Sequence, residues 1–151
     1  MSNMKRITIV GGGASGTLVA VNLLKKSDAE PLLITLIEKQ NPLGGGVAFS
    51  TPDDLHLLNV PAGKMSAFPD EPYHFHEWLA SNGFEYAPSD FVPRKLYGRY
   101  LKELLDNAIA KASPASEVKI LNDEATDVAA DENSAAVVLS SGDQIASDKV
   151  V

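Results

Sequence analysis

The sequence predicts an α/β fold in which a parallel sheet is accompanied by a small antiparallel β segment. Three observations predict it. Two short runs rich in β-branched residues, 6–10 and 32–37, read as buried parallel strands. A helical period over 14–26 lies between them. After Pro114 the chain breaks into short runs of strand-forming residues, with a turn signal at Ser141-Gly142-Asp143.

The elements follow in order. Ile7-Thr8-Ile9-Val10 runs into three glycines, Gly11 to Gly13, which end the first strand. Leu18, Val21 and Leu24 then recur at helical spacing, thickened by Val19, Ala20 and Leu23, until Ser27-Asp28-Ala29-Glu30-Pro31 breaks the helix. Strand, turn, helix and strand within about thirty residues make a βαβ unit with a right-handed crossover. Residues 39–71 show no sustained period. They carry Pro42, Gly44, Gly45, Gly46, Pro52, Pro61, Gly63 and Pro69, yet also Leu57, Leu58, Val60, Met65 and Phe68. So long a segment, holding so many large apolar residues, predicts a packed functional loop rather than a linker. A short helix is expected over 72–82, with Asp70 as N-cap, Pro72 in the first turn and Gly83 just past the end. A longer helix over 93–112 has an apolar face of Tyr97, Tyr100, Leu101, Leu104, Leu105, Ala108 and Ile109. Strands are expected over 118–121, 125–129, 135–140 and 144–146, and Lys149-Val150-Val151 opens a further one.

Composition narrows the function classes. The chain has 151 residues, 44% apolar and 22% charged, which suits one folded domain and not a disordered chain. Thirteen Lys and Arg against twenty Asp and Glu give a formal charge of −7, the wrong sign for nucleic acid or an anionic membrane. With no cysteine, disulfides, thiolate zinc sites and cysteine nucleophiles are excluded. His74 and His76 stand two apart on an expected helix and His56 stands alone, so no metal site is expected. The expected setting is the cytoplasm, without nucleic-acid, membrane or metal partners.

One motif carries chemistry. Gly11-Gly12-Gly13-Ala14-Ser15-Gly16 satisfies G-x-G-x-x-G at a strand end, opens a helix, and is followed by Glu38 at the end of the next strand. Gly11 allows the tight turn, Gly13 lets a pyrophosphate approach the backbone, and Gly16 permits close helix–strand packing. The pyrophosphate would rest on the free N–H groups of the helix start, beside Ala14 and Ser15. Glu38 would accept hydrogen bonds from ribose hydroxyls and repel a 2′-phosphate. The fold expected is therefore the Rossmann-type dinucleotide-binding one. Ala62-Gly63-Lys64-Met65-Ser66 lacks the Walker spacing, and Thr17 spoils a nucleophile elbow around Ser15. Arg94, in the first turn of an expected helix, is a cation at a positive dipole end, which suggests an anion partner.

Three separated blocks carry a family resemblance: Ile7 to Ala20; Gly46-Val47-Ala48-Phe49-Ser50-Thr51 with His56 to Asp70; and Phe91-Val92-Pro93-Arg94-Lys95-Leu96-Tyr97-Gly98-Arg99-Tyr100-Leu101. Together they resemble the bacterial FAD/NAD(P)-binding oxidoreductases related to FAD-dependent urate hydroxylase. The resemblance implies a flavoprotein whose FAD lies extended across the first βαβ unit, possessing NAD(P)H as electron donor in the full-length family. It implies that Gly11, Gly13, Ser15 and Gly16 hold the pyrophosphate, and that Glu38 and Lys39 hold the ribose and adenine edge. It also implies that Asn59 approaches the flavin half, Arg94 the phosphates, and Ala125 the adenine. Relatives run to several hundred residues. Residues 1–151 are thus expected to be an FAD-binding domain truncated at its C-terminal end, partnered by the missing remainder and monooxygenase-like in class. It is not expected to turn over alone, and no catalytic residue is nominated. Two other readings stay open: a non-catalytic nucleotide-binding or interaction module, and an NAD-binding dehydrogenase domain, which suits Glu38 equally but leaves 39–71 unexplained.

Overall fold

A computed structural model describes residues 4–40 and 43–151; Pro42, counted above in the glycine- and proline-rich segment, lies outside them. Strand β1 (Lys5–Val10) leads through the glycine turn into α1 (Ala14–Leu24) and returns as β2 (Leu32–Ile37), paired parallel to β1 with Ile7 opposite Ile34. The expected βαβ unit is therefore present. Helix α1 ends two residues early because Ser27, fully buried, donates its hydroxyl to the carbonyl of Leu24 and closes the turn.

The 39–71 segment is packed rather than extended. It holds a four-residue helix, α2 (Gly46–Phe49), a 3-10 turn at Ala62–Lys64, and a bridge from Leu57 to Pro93. Leu58, Ala62 and Phe68 are buried, as an ordered loop requires. Leu57 is the exception: its backbone makes the bridge and its side chain stays exposed.

Helix α3 (His74–Ser81) starts later than 72, and its N-cap is Tyr73, not Asp70. The reason is Ser66, whose hydroxyl accepts the N–H of Phe68 and lies 2.6 Å from the carbonyl of Glu71. That contact, with backbone turns closed at Glu71 and His74, uses up the chain that would otherwise open the helix. Gly83 lies just past the end with φ +80°, a conformation glycine adopts without strain. Helix α4 (Arg94–Lys111) buries Leu96, Tyr97, Tyr100, Leu101 and Leu105, the face its periodicity predicts.

Strand β3 (Glu117–Leu121) adds parallel to β2. Strands β4 (Ala125–Ala130), β5 (Ala135–Leu139) and β6 (Gln144–Ser147) form a separate antiparallel meander. Strand β7 (Lys149–Val150) then rejoins β1, giving a parallel order β3-β2-β1-β7.

The central sheet is covered on both faces, and its period-two alternation decides what covers each. Ile7, Ile9, Leu32, Ile34 and Leu36 pack with Ala20, Val21 and Leu24 of α1 and Leu105 of α4. On the other face Ile37 meets Val137 and Leu139 of the meander, and Thr8 shares a buried 2.5 Å hydrogen bond with Ser147. A second apolar cluster, around Phe75, Trp78, Tyr97 and Tyr100, joins α3, α4 and the 57–68 loop.

Candidate dinucleotide site

The glycine turn sits where β1 ends and α1 begins, at the carboxyl edge of the sheet, where open α/β sheets take ligands. Each of its glycines answers to a different constraint. Gly11 has φ +99°, a left-handed conformation that a side chain would strain. A Cβ on Gly16 would lie 1.8 Å from the Gly11 carbonyl oxygen, so only glycine lets helix and strand pack this closely. Gly12, which the motif treats as a free position, is confined by side chains: a Cβ there would meet the end of Leu43 at 2.6 Å and Glu38 Cβ at 2.9 Å.

Gly13 differs from the others. Its backbone is extended (φ −72°, ψ −165°), and a Cβ would meet only the Gly46 Cα, at an ordinary 3.6 Å. Neither its conformation nor its packing against the described residues demands glycine there. What a side chain would take up is the open space before the start of α1. That helix start has no side-chain cap and no acidic residue in its first turn, which leaves its N–H groups available to an anion. A pyrophosphate fits the residues present.

Glu38 is held over the turn. Its Oε2 accepts the N–H of Gly12 at 2.6 Å and its Oε1 accepts the N–H of Gln40 at 2.7 Å. Each carboxylate oxygen keeps a further lone pair that a ribose hydroxyl could use. Gly11, Glu38, Lys39 and Ala125 line one cavity of 310 Å³, with Val10, Val47 and Asp123 among their neighbours. This is at the small end of the range for small-molecule sites and suits part of a dinucleotide.

The electrostatics of this cavity are acidic. Lys39 is not a free cation: its ammonium lies 2.8 Å from Glu124 Oε1, and that bond and charge raise its pKa. Both side chains of this pair are more than half exposed, so the bond is a weak surface one, and Lys39 still lines the cavity beside Glu38. Asp123 has its pKa lowered, chiefly by the Ser140 hydroxyl. Three carboxylates against one paired ammonium favour hydroxyls and disfavour a 2′-phosphate.

Asn59 and Arg94 do not line this cavity. Arg94 donates from Nε to the Leu57 carbonyl at 2.9 Å and from its backbone N–H to the His56 carbonyl, so it fastens the loop to α4. Its described partners are carbonyls, not an anion. Asn59 is exposed beside this junction.

Two features escaped the motif. Gly44 donates to the Gly12 carbonyl at 2.7 Å, and α2 is wedged between Gly13 and α4. On α4 the contact is Gly98, where a Cβ would come within 2.7 Å of the Phe49 carbonyl oxygen. The Gly44-Gly45-Gly46 run was the available signal for such a close approach. The histidines are engaged locally: His56 with Thr51, His74 with Tyr100, and His76 with the Tyr86 carbonyl. Among the described residues no cluster of acids and histidines could hold a metal, and no helix is long and apolar enough to cross a membrane.

Fold and glycine turn together define a dinucleotide-binding protein of the Rossmann type. The model of the FAD-NAD(P)-binding family matches residues 8–151, and the chain belongs to that family. No curated protein matches the sequence. Among solved structures, the flavin-containing monooxygenase from Stenotrophomonas maltophilia is similar at 20% identity with a TM-score of 0.63, covering 97% of this chain and 38% of its own. The bacillithiol disulfide reductase Bdr from Staphylococcus aureus is similar at 17% identity and TM-score 0.62, covering 99% of this chain and 38% of its own. The Diels-Alderase PyrE3 is similar at 17% identity and TM-score 0.63, covering 97% of this chain and 31% of its own. The likeness to these structures is one of fold, and the chain spans about a third of their length.

Proposed function

We propose that residues 1–151 form the FAD-binding domain of a flavin-dependent oxidoreductase, monooxygenase-like in class, which draws on further protein for its donor and substrate sites. Gly11, Gly13, Ala14, Ser15 and Gly16 would hold the pyrophosphate, Glu38 the ribose, and the backbone at Ala125 the adenine edge. Lys39 would share the ribose and adenine edge with Glu38, Arg94 would approach the phosphates, and Asn59 the flavin half. Bound FAD would supply hydride and electron transfer at its isoalloxazine ring. The protein's own part is to place the phosphates on the start of α1 and the ribose on Glu38.

The observation that carries this reading is Gly13, a glycine that nothing among the described residues requires. Gly13→Ala is therefore expected to leave the thermal unfolding midpoint unchanged while weakening FAD at least about tenfold, a loss of about 1.4 kcal/mol. Titration of wild type and variant with FAD, followed by flavin fluorescence, reads this directly. Equal affinities would refute the phosphate site. Tighter binding of NAD than of FAD in competition would favour the dehydrogenase reading instead.

A further inference from the structure

Among the described residues the most exposed large apolar side chain is Val47, 91% open to solvent. It stands on α2, whose seating turns it outward. Phe49, two residues on, sets its ring 4.9 Å from that of Tyr97 on α4. Its carbonyl packs so closely on Gly98 that a Cβ there would come within 2.7 Å. Residues two apart on a helix point about 200° from one another. With Phe49 fastened to α4, Val47 is carried on the far side of α2, where it lines the 310 Å³ dinucleotide cavity.

Val10 reaches the same cavity from the sheet. Along β1, Thr8 and Val10 share one face, because side chains alternate along a strand. Thr8 is buried against Ser147, whereas Val10 is 42% exposed and lines the cavity. A single valine on a surface needs no explanation. Two open valines that converge beside Glu38, the ribose acceptor, call for one. Gly46, next to Val47, also places it close to the phosphate cradle: the Gly46 Cα lies 3.6 Å from where Gly13 would carry a Cβ.

We infer, resting on the dinucleotide reading above, that Val47 is a binding residue for the adenosine half of the cofactor, with Val10 as its counterpart on β1. A ribose held by Glu38 carries its base into the same cavity, and the faces of a base are π surfaces that an apolar side chain can cover. A β-branched side chain on a helix has one dominant rotamer, so little freedom is lost on contact. Its mount is tied down as well. The Gly44 N–H donates to the Gly12 carbonyl and the Phe49 N–H to the Gly45 carbonyl. Val47 thereby favours FAD over FMN, which has no adenosine to cover.

Val47→Ser and Val47→Ile test this, with FAD and FMN followed by flavin fluorescence and ADP-ribose by calorimetry. A side chain this exposed contributes little to folding, so both variants should keep the wild-type thermal midpoint. Val47→Ser is expected to weaken FAD and ADP-ribose by the same factor, about fivefold, and to leave FMN unchanged. Val47→Ile keeps the apolar β-branched contact and should hold both adenosine ligands within about twofold of wild type. Four results overturn the role of Val47 and leave the dinucleotide reading standing: unchanged FAD affinity in Val47→Ser, a loss for FAD without one for ADP-ribose, an equal loss for FMN, or a loss in Val47→Ile as large as in Val47→Ser. A loss that comes with a lower midpoint overturns it too. Wild-type protein that binds neither FAD nor ADP-ribose overturns the dinucleotide reading itself, and this role with it.

Discussion

At the residue scale, glycines of one motif face different demands and should respond to substitution in different ways. Gly16→Ala drives a methyl group into the Gly11 carbonyl at 1.8 Å, which backbone on both sides cannot relieve. It is expected to cost about 3 kcal/mol or more, visible as a lower urea midpoint. Gly13→Ala, by contrast, touches only the Gly46 Cα at 3.6 Å and should spare stability while impairing the cofactor. The pattern G-x-G-x-x-G shows both residues as glycine and cannot separate them. Nor does it show that Gly12 is confined by Glu38 and Leu43, since those partners arrive from other parts of the chain.

At the element scale, two contacts deserve test. Replacing a mid-helix glycine by alanine ordinarily gains about 1 kcal/mol. Gly98→Ala in α4 is expected to reverse that sign, because the new methyl group meets the Phe49 carbonyl at 2.7 Å and must push α2 outward. A net loss of about 1–2 kcal/mol in urea unfolding, with weaker FAD binding, is the expected outcome. The other contact holds β7. Asp148 accepts the Arg6 backbone N–H at 2.7 Å and its guanidinium at 2.8 Å, and these bonds lower its pKa from 3.8. A carboxylate lowered on folding contributes stability above its unfolded pKa and loses it as pH falls through the folded value. Asp148→Asn should therefore be less stable than wild type at pH 6, and the gap should close below about pH 3.8. Parallel urea titrations at the two pH values check it. Faster amide exchange at Val151, whose N–H is bonded to the Thr8 carbonyl, should accompany the substitution at neutral pH.

At the scale of the whole molecule, the cradle is assembled from the turn after β1, the loop around α2 and the middle of α4, so ligand binding and global stability are linked. FAD at a hundredfold excess over its dissociation constant should add about 2.7 kcal/mol to unfolding stability. The same excess of NADPH over that constant should add little, because its 2′-phosphate would face Glu38, Asp123 and Glu124 with Lys39 already paired. A thermal shift series with FAD, NAD and NADPH reads both at once.

Most of the element plan was legible in the residues themselves. The two β-branched runs, the period of α1 and α4, and the stop at Gly83 follow from local sterics and hydrogen bonding, which neighbouring residues largely decide. The glycine turn and Glu38 were legible for the same reason, since strand, turn and helix are contiguous. What required the tertiary structure is whatever depends on distant partners. Residues 118–121 could have joined either sheet; pairing with Leu33 to Ile37 placed them in the parallel one. The ion pair of Lys39 with Glu124, eighty-five residues on, is of that kind. So is the bond from Arg94 Nε to the Leu57 carbonyl, which fastens the loop to α4. Local propensity records what a segment prefers by itself. Which charge is already neutralised, and which glycine has nothing but open space before it, is decided only when remote segments come within a few ångströms of one another.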